Sequence, residues 1–488
     1  MTARRMVTMA VLLSLVSGIV QAQLARGQDA ASIGPAGPTT AGHAAGQMPV
    51  PTEDWQVTRV DTPGKFFYMG SRSLVLDATG APHIAYGGDF LYYTSYDGGT
   101  WQRQIVDTSD SVGYFTSLRL DAAGYPHISY FDAKNADLKY AWYDGTSWHT
   151  TTVDSAGDVG QFNSLVLDAA GYPHISYFRS WPECDLLYAR FDGTSWLTET
   201  VASDGWSGFY TSLALDSAGH PQISYYQVAS YHILKYASYD GNSWSIETVE
   251  DGLPTWGGST SLVLDSADRP HISYFGFYGY LTGLKYAYYD GTGWIREHVD
   301  TSGNSGWETS LVLDSLGRPQ ISYFDGANSR LKYARYNGTS WVIETVDVEW
   351  PTGRYTSLAL DPLTGQPRIS YCLYDTNNDT CQSLRYARHD GTTWLLETVE
   401  VAGDAGACTS LALDAAGHPH ISYMNLLPHE QLKYASYDGA NWHVQTTAPA
   451  SLTSLSSIPT NGSSTWPTRR APSGGQRPLR AYGRTVGK

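Results

Sequence analysis

Two residues ahead of each copy of a recurring Ser-Leu-x-Leu-Asp element stands a chemically mixed column: Ser71, Phe115, Phe162, Tyr210, Ser259, Glu308, Tyr355 and Cys408. Together with Arg354, the residues Glu308 and Tyr355 supply a carboxylate, a guanidinium and a phenol. The adjoining segments add the indoles of Trp206, Trp256, Trp307 and Trp350. Carboxylates of this kind cleave glycosides when two converge, one as acid and the other as base or nucleophile. Aromatic rings set among Gly, Asp and Thr have a second use, stacking on the C–H faces of sugars while polar groups bond the hydroxyls. They also have a bland one, packing loop against loop, although extensive exposed apolar surface is uncommon without a role. We take Phe115, Phe162, Trp206, Tyr210, Trp256, Trp307, Glu308, Trp350, Arg354 and Tyr355 as the candidate ligand-binding set and assign no catalytic residue.

Other chemistry-bearing residues read as structural. His83, His127, His174, Gln222, His271, Gln320, Arg368 and His420 precede Ile-Ser-Tyr or a near relative in successive copies. Zinc needs three or four ligands within about 2.0–2.3 Å, and one residue per repeat does not converge, so hydrogen bonding between neighbouring repeats is the expectation. Asp375-x-Asn377-x-Asp379 has the opening rhythm of a calcium loop, but Thr380 stands where the turn glycine belongs and Tyr386 where the closing glutamate belongs. A polar hairpin loop is expected there, with no metal and no cofactor. Cys372 and Cys381 bracket the same segment, and a disulfide across it would contribute about 2–3 kcal/mol. Cys184 and Cys408 lie in distant repeats and are expected to be free and buried.

What positions these residues is an array. The unit is seen cleanly in TSLVLDSLGRPQISYFDGANSRLKYARYNGTSWVIETVD, residues 309–347, and its serine recurs at Ser73, Ser117, Ser164, Ser212, Ser261, Ser310, Ser357 and Ser410. Each unit holds four strand-like runs separated by turn residues. An Asp-Gly turn leads into the last run, Gly accepting a positive φ and Asp tolerating it, which matches the twist of the flanking strands. A period of about 40–50 residues with four strands per unit is the pattern of a β-propeller, so the expected fold is all-β with eight four-stranded antiparallel blades. Seven blades plus an incomplete unit is the alternative, and a linear solenoid fits less well because its units are usually shorter. DWQVTRVD, residues 54–61, is a fourth-strand sequence with no blade of its own, and it competes with NWHVQTTAP from Asn441 to complete the last blade.

Connectivity divides the loops between two faces. The turns joining first to second and third to fourth strands share one face and vary little, whereas the loops joining second to third strands and blade to blade share the other and vary freely. Loops diversify on a rigid scaffold without disturbing its core, so the variable face is the expected working face.

The turn copies YDGTSW (143–148), FDGTSW (191–196), YDGNSW (239–244), YDGTGW (289–294) and HDGTTW (389–394) resemble the Asp-box, or bacterial neuraminidase, repeat. In that family the turn joins the third and fourth strands of propeller blades, so the resemblance, which covers roughly residues 54–447, implies a sialidase-like propeller. The family pattern has a residue between Asp and Gly that this chain lacks, and Asn337 replaces Asp in the sixth copy. A sialidase would need three arginines, a Tyr-Glu nucleophile pair and an acid Asp. Arg72, Arg179, Arg354, Tyr355 and Glu308 are candidates here, but they fall on scattered blades and complete no arginine triad. A turn present in every blade points in eight directions, so Asp144, Asp192, Asp240 and Asp290 read as frame.

The chain ends and composition bound the rest. Arg4 and Arg5 precede an apolar run and a small-residue exit at Val20-Gln21-Ala22, the layout of a secretory signal, and the run is shorter than the roughly 20 residues of a membrane span. The expected division is a signal peptide (1–22), an Ala/Gly/Pro linker (23–50), the propeller (51–449) and a basic Ser/Pro/Gly-rich tail (450–488). A formal charge of −16 disfavours nucleic acid. The expectation is a secreted, cell-surface or periplasmic monomer that binds an extracellular glycan or polymer without catalysis. A glycoside hydrolase or polysaccharide lyase on the same scaffold, or a scaffold for cell-surface proteins, are the alternatives.

Overall fold

The computed structural model describes residues 58–59, 73–87, 90–97, 101–228, 232–253, 260–278, 281–349, 351–375, 380–400, 405–425 and 431–446. The expected signal peptide, linker and tail lie outside them, as do Ser71, Arg72, Trp256, Ser259, Trp350, Asn377 and Asp379.

Eight four-stranded antiparallel sheets follow one another, at 74–107, 112–154, 159–202, 206–253, 261–300, 305–345, 352–400 and 405–446, and they are numbered here as blades 1 to 8. First strands of successive blades contact one another all round the ring, including blade 8 against blade 1. The expected eight-bladed propeller is therefore the fold. Its closure uses both competing end segments. Trp442–Thr446 takes the fourth position of blade 8, and Thr58–Arg59 adds outside it as a fifth, parallel strand, with Thr58 opposite Gln445 and Arg59 opposite Thr446.

The repeated residues explain why blades stack. No blade can bury both its faces alone, so the Ile of each second strand and the Leu and Ala of each third (Thr94 in place of Ala in blade 1) are covered by a neighbour. The indole from each Asp-Gly-x-x-Trp turn stands against the third-strand tyrosine of the preceding blade. The pairs are Trp148 on Tyr93, Trp196 on Tyr140, Trp244 on Tyr188, Trp294 on Tyr236, Trp341 on Tyr286, Trp394 on Tyr333, Trp442 on Tyr386 and, across the seam, Trp101 on Tyr434, with ring centroids 4.7–5.3 Å apart. Edge-on pairs of this kind contribute about 0.5–1.5 kcal/mol beyond burial. Asp144 Oδ1 accepts the amide N–H groups of Thr146 and Ser147, both at 2.8 Å. The amide oxygen of Asn337 does the same for Thr339 and Ser340, at 2.9 and 3.0 Å, so Asn serves in the sixth copy.

A second lock was not singled out from the sequence. In four blades an acid at or near the end of the fourth strand receives groups from the next blade: Asp107 binds Tyr130 and Lys139, Glu250 binds Tyr274 and Lys285, Asp300 binds Tyr323 and Lys332, and Asp347 binds Tyr371 and Arg385. Burial alone would raise the Asp300 carboxyl, but hydrogen bonds from Lys332, Ser302 and Tyr323 outweigh it and hold the group below the usual carboxylate range.

The histidine column works within blades, which corrects the expectation of bonding between them. Nδ1 of His83, His127, His174, His271 and His420 meets the hydroxyl of Tyr93, Tyr140, Tyr188, Tyr286 and Tyr434 in the same blade. The antiparallel register causes this: His127 lies opposite Trp142, which makes Tyr140 its diagonal neighbour on the same sheet face. Gln222 and Gln320 take the same place, accepting from Tyr236 and Tyr333. Burial pulls all five histidines below their ordinary value, against the opposing pull of Asp77, Asp121, Asp168, Asp265 and Asp414. A histidine depressed by folding contributes stability that is complete above its unfolded pKa, about 6.5, and lost as pH falls through the lower folded value. The urea midpoint is therefore expected to fall on acidification below about pH 6.5. Replacing all five histidines by Gln, the residue already present at 222 and 320, flattens that fall; an unchanged slope would place the titration elsewhere.

Cys372 and Cys381 form the expected disulfide, joining the second and third strands of blade 7 with Cα atoms 5.7 Å apart. Cys184 is free and buried, whereas Cys408 is only half-buried.

Candidate binding face

Every blade being antiparallel, the loops joining second to third strands and the blade-to-blade connections emerge together at one end of the ring. The column read from the sequence stands at this end and shares an unusual backbone. In blade 2 the pairing of first and second strands steps from Val112–Asp132 to Tyr114–Phe131 to Ser117–Ser129, leaving two bulges. Phe115 sits in the second with φ of 55°, and Phe162, Tyr210, Glu308, Tyr355 and Cys408 repeat it at 52–55°. Bulky side chains rarely occupy this left-handed region, and the surroundings must over-determine it. A threonine from the next blade does so: Thr211 Oγ1 donates to the Phe162 carbonyl at 2.9 Å, Thr260 to Tyr210 at 3.2 Å and Thr409 to Tyr355 at 2.6 Å. The glycine two residues ahead opens the first bulge, and at Gly160 a Cβ would lie 2.8 Å from the Leu138 Cα.

The mouth is asymmetric. On blades 2 to 4 the half-buried rings of Phe115, Phe162 and Tyr210 form an arc, with centroids 5.0 and 4.9 Å apart. On blades 6 and 7 the structure brings Glu308, Arg354 and Tyr355 together. Arg354 Nε lies 2.9 Å from Glu308 Oε1, Glu308 Oε2 accepts the Tyr355 amide N–H, and the Arg354 guanidinium stands 5.6 Å from the Tyr355 ring. Both oxygens of Glu308 are thus engaged in bracing two blades. Trp307 is half-buried against Phe275 at 4.9 Å, its Nε1 donating to Asn304 Oδ1 at 3.1 Å.

Trp206 differs from these, being 46% exposed, and beside it the structure shows a residue the sequence reading passed over, Trp181, at 56%. The Ser207 amide N–H donates to the Cys184 carbonyl at 2.8 Å and the Cys184 amide to the Ser180 carbonyl at 3.4 Å, so the Trp206 strand docks on the turn carrying Trp181. The same loop holds an ion pair, Arg179 Nη1 to Asp185 Oδ2 at 3.3 Å, and Arg179 Nε is a buried donor with no hydrogen-bond partner among the described residues. Burial raises the Asp185 carboxyl, the nearby Arg179 opposes the rise and Glu183 adds to it. The signal for Trp181 is in the sequence: RSWPECD is one of the irregular second-to-third-strand loops, and its indole has no counterpart in the blade-to-blade connections that carry the other candidate aromatics.

Among the described residues no three His, Cys, Asp or Glu side chains converge as a metal site. No protein-family model matches the chain, and no curated protein matches it. Among solved structures the chain is similar to a polysaccharide lyase, an ulvan lyase, at 14% identity over 80% of this chain and 97% of that one, with a TM-score of 0.44. It is similar to an Aleuria aurantia lectin in complex with α-methyl-L-fucoside at 15% identity over 59% and 96%, TM-score 0.37. A protein of unknown function from Dyadobacter fermentans aligns at 14% identity over 56% and 92%, TM-score 0.38. Likeness at these levels assigns no activity to this chain.

Proposed function

We propose that this chain is an exported, non-catalytic propeller of sialidase-like architecture that holds an extracellular glycan on its variable-loop face. One observation carries the reading: Trp181 and Trp206 present exposed indoles from two segments joined by backbone hydrogen bonds, next in the chain to the Arg179–Asp185 pair. Planar apolar faces beside fixed donors and acceptors suit a sugar ring, whose C–H face stacks while its hydroxyls bond. The aromatic arc from Tyr210 to Phe115 continues this surface toward the channel mouth. Export rests on the Arg4-Arg5 and apolar pattern of the N-terminus. The non-catalytic part rests on Glu308, whose two oxygens brace neighbouring blades instead of standing opposite a second carboxylate.

A glycan array with the purified chain identifies a ligand, and calorimetry with that ligand reads the site. The double variant Trp181→Ala/Trp206→Ala is expected to weaken binding at least about tenfold, a loss of roughly 1.4 kcal/mol. Stability should stay within about 0.5 kcal/mol because both rings are exposed. Undiminished binding by the double variant rejects the site. Release of sugar from a polysaccharide replaces binding by hydrolysis or lysis, and capture of envelope proteins without any glycan replaces it by a protein scaffold.

A further inference from the structure

The face opposite the variable loops also holds cavities, and they lie between blades. One, of about 320 Å³, is bounded by Asp265, Arg269, His271, Tyr288 and Asp290 of blade 5 and by Leu316 in the first turn of blade 6. Its polar groups are not all spent. Asp265 Oδ1 accepts the amides of Ala267 and Arg269, and Oδ2 is held by Arg269 Nε at 2.8 Å and Nη2 at 2.6 Å. That leaves His271 Nε2 3.6 Å from Oδ2, buried and without a hydrogen-bond partner among the described residues, on a side chain only 9% exposed. Blades 4 and 6 indicate which proton it carries. Gln222 and Gln320 accept the tyrosine hydroxyl at the position of His271 Nδ1, so Nδ1 accepts from Tyr286 and Nε2 bears the hydrogen. Asp290 uses Oδ1 for Thr292 and Gly293, keeping Oδ2 as an acceptor. The Tyr288 ring stacks parallel to the His271 ring at a centroid distance of 5.9 Å, and Leu316 is 72% exposed across the groove.

We propose that this groove between blades 5 and 6 is a second site, for a single neutral sugar ring. The volume lies at the small end of ligand cavities. Its donor (His271 Nε2–H), acceptor (Asp290 Oδ2) and apolar walls (Tyr288 and Leu316) match a pyranose with hydroxyls on one edge and C–H groups on its faces. The charge sets the class. Asp265 and Arg269 cancel and burial keeps His271 neutral, so Asp290 leaves the groove one negative charge, which disfavours uronates and other acidic sugars. The site stands apart from the Trp181–Trp206 surface and does not depend on it. A cavity in the same place at the seam, between blades 8 and 1, has Ser436 where this one has Tyr288, and its rings are Tyr96 and Tyr434 instead.

The chain itself supplies conservative tests. Ser stands at the position of Tyr288 in three other blades, as Ser95, Ser238 and Ser436, and Gln at that of His271 in two. Tyr288→Ser and His271→Gln should therefore fold normally. In the second variant the amide is expected to turn to Asp265, as Gln222 Nε2 turns to Asp216 at 3.2 Å, removing the unspent donor. The full chain is titrated with methyl glycosides of neutral hexoses and 6-deoxyhexoses, and with a methyl uronoside, by ligand-observed NMR. The expected result is saturable millimolar binding of at least one neutral glycoside, weakened about tenfold by Tyr288→Ser and about threefold or more by His271→Gln. Trp181→Ala/Trp206→Ala should leave it unchanged, which separates this site from the polymer-binding face. Absence of binding by every neutral glycoside, binding indifferent to Tyr288→Ser and His271→Gln, or equal binding of the uronoside would each overturn the proposal.

Discussion

Glu250→Ala is expected to lower the unfolding free energy at neutral pH by about 3–5 kcal/mol. Glu250 lies near the end of the fourth strand of blade 4 and receives two groups from blade 5, the Tyr274 hydroxyl and the Lys285 ammonium. The Lys285 side chain is 5% exposed and has no other carboxylate partner among the described residues. Burial, and then the Glu250 charge, push the Tyr274 phenol well above its ordinary value, so it remains a donor and cannot neutralise the lysine. Removing the carboxylate thus strands a buried cation, which costs far more than the pair contributes when intact. Combining Glu250→Gln with Lys285→Met takes both charges away and should recover most of the loss. Urea denaturation of the wild type, Glu250→Ala and the double variant reads both effects, and a loss below about 1 kcal/mol in the single variant would mean that water reaches Lys285.

Trp294→Ala is expected to cost about 3 kcal/mol, the low end of the range for losing a buried aromatic because this indole is only partly covered. It stands edge-on to Tyr236 of blade 4 at 5.1 Å, and its Nε1 donates to Glu247 of the same blade at 2.9 Å. Truncation removes both contacts and leaves Glu247 without its donor. Trp206→Ala, by contrast, should change stability by no more than about 0.5 kcal/mol, since that residue is 46% exposed at the surface. Both are tryptophans of one array, and equal losses at the two positions would erase the distinction between frame and face.

The frame was legible because the same physics is solved eight times. Asp-Gly-x-x-Trp, Ile-Ser-Tyr and Leu-Lys-Tyr-Ala each announce a turn or a two-sided buried strand, and the period fixes the fold. The lock formed by Glu250, Tyr274 and Lys285 was less visible, since its members come from different copies and only the ring brings them into contact. The column holding Phe115, Phe162, Tyr210, Glu308 and Tyr355 was legible by alignment, but its left-handed backbone was not, because the bonds that brace it at Phe162, Tyr210 and Tyr355 come from threonines of the next blade. Glu308 and Arg354 looked scattered, lying 46 residues apart, yet neighbouring blades place them 2.9 Å apart. Trp181 escaped notice for the opposite reason: it belongs to no column, and a residue without copies gives no signal in a self-alignment.

The division of labour between repeated and irregular residues can be read directly by oxidative footprinting of tryptophan, with and without a polysaccharide that the chain binds. The account predicts protection confined to Trp181 and Trp206, with Trp148, Trp294 and Trp442 equally reactive in both conditions. Protection of those turn tryptophans, with Trp181 and Trp206 unchanged, would contradict it.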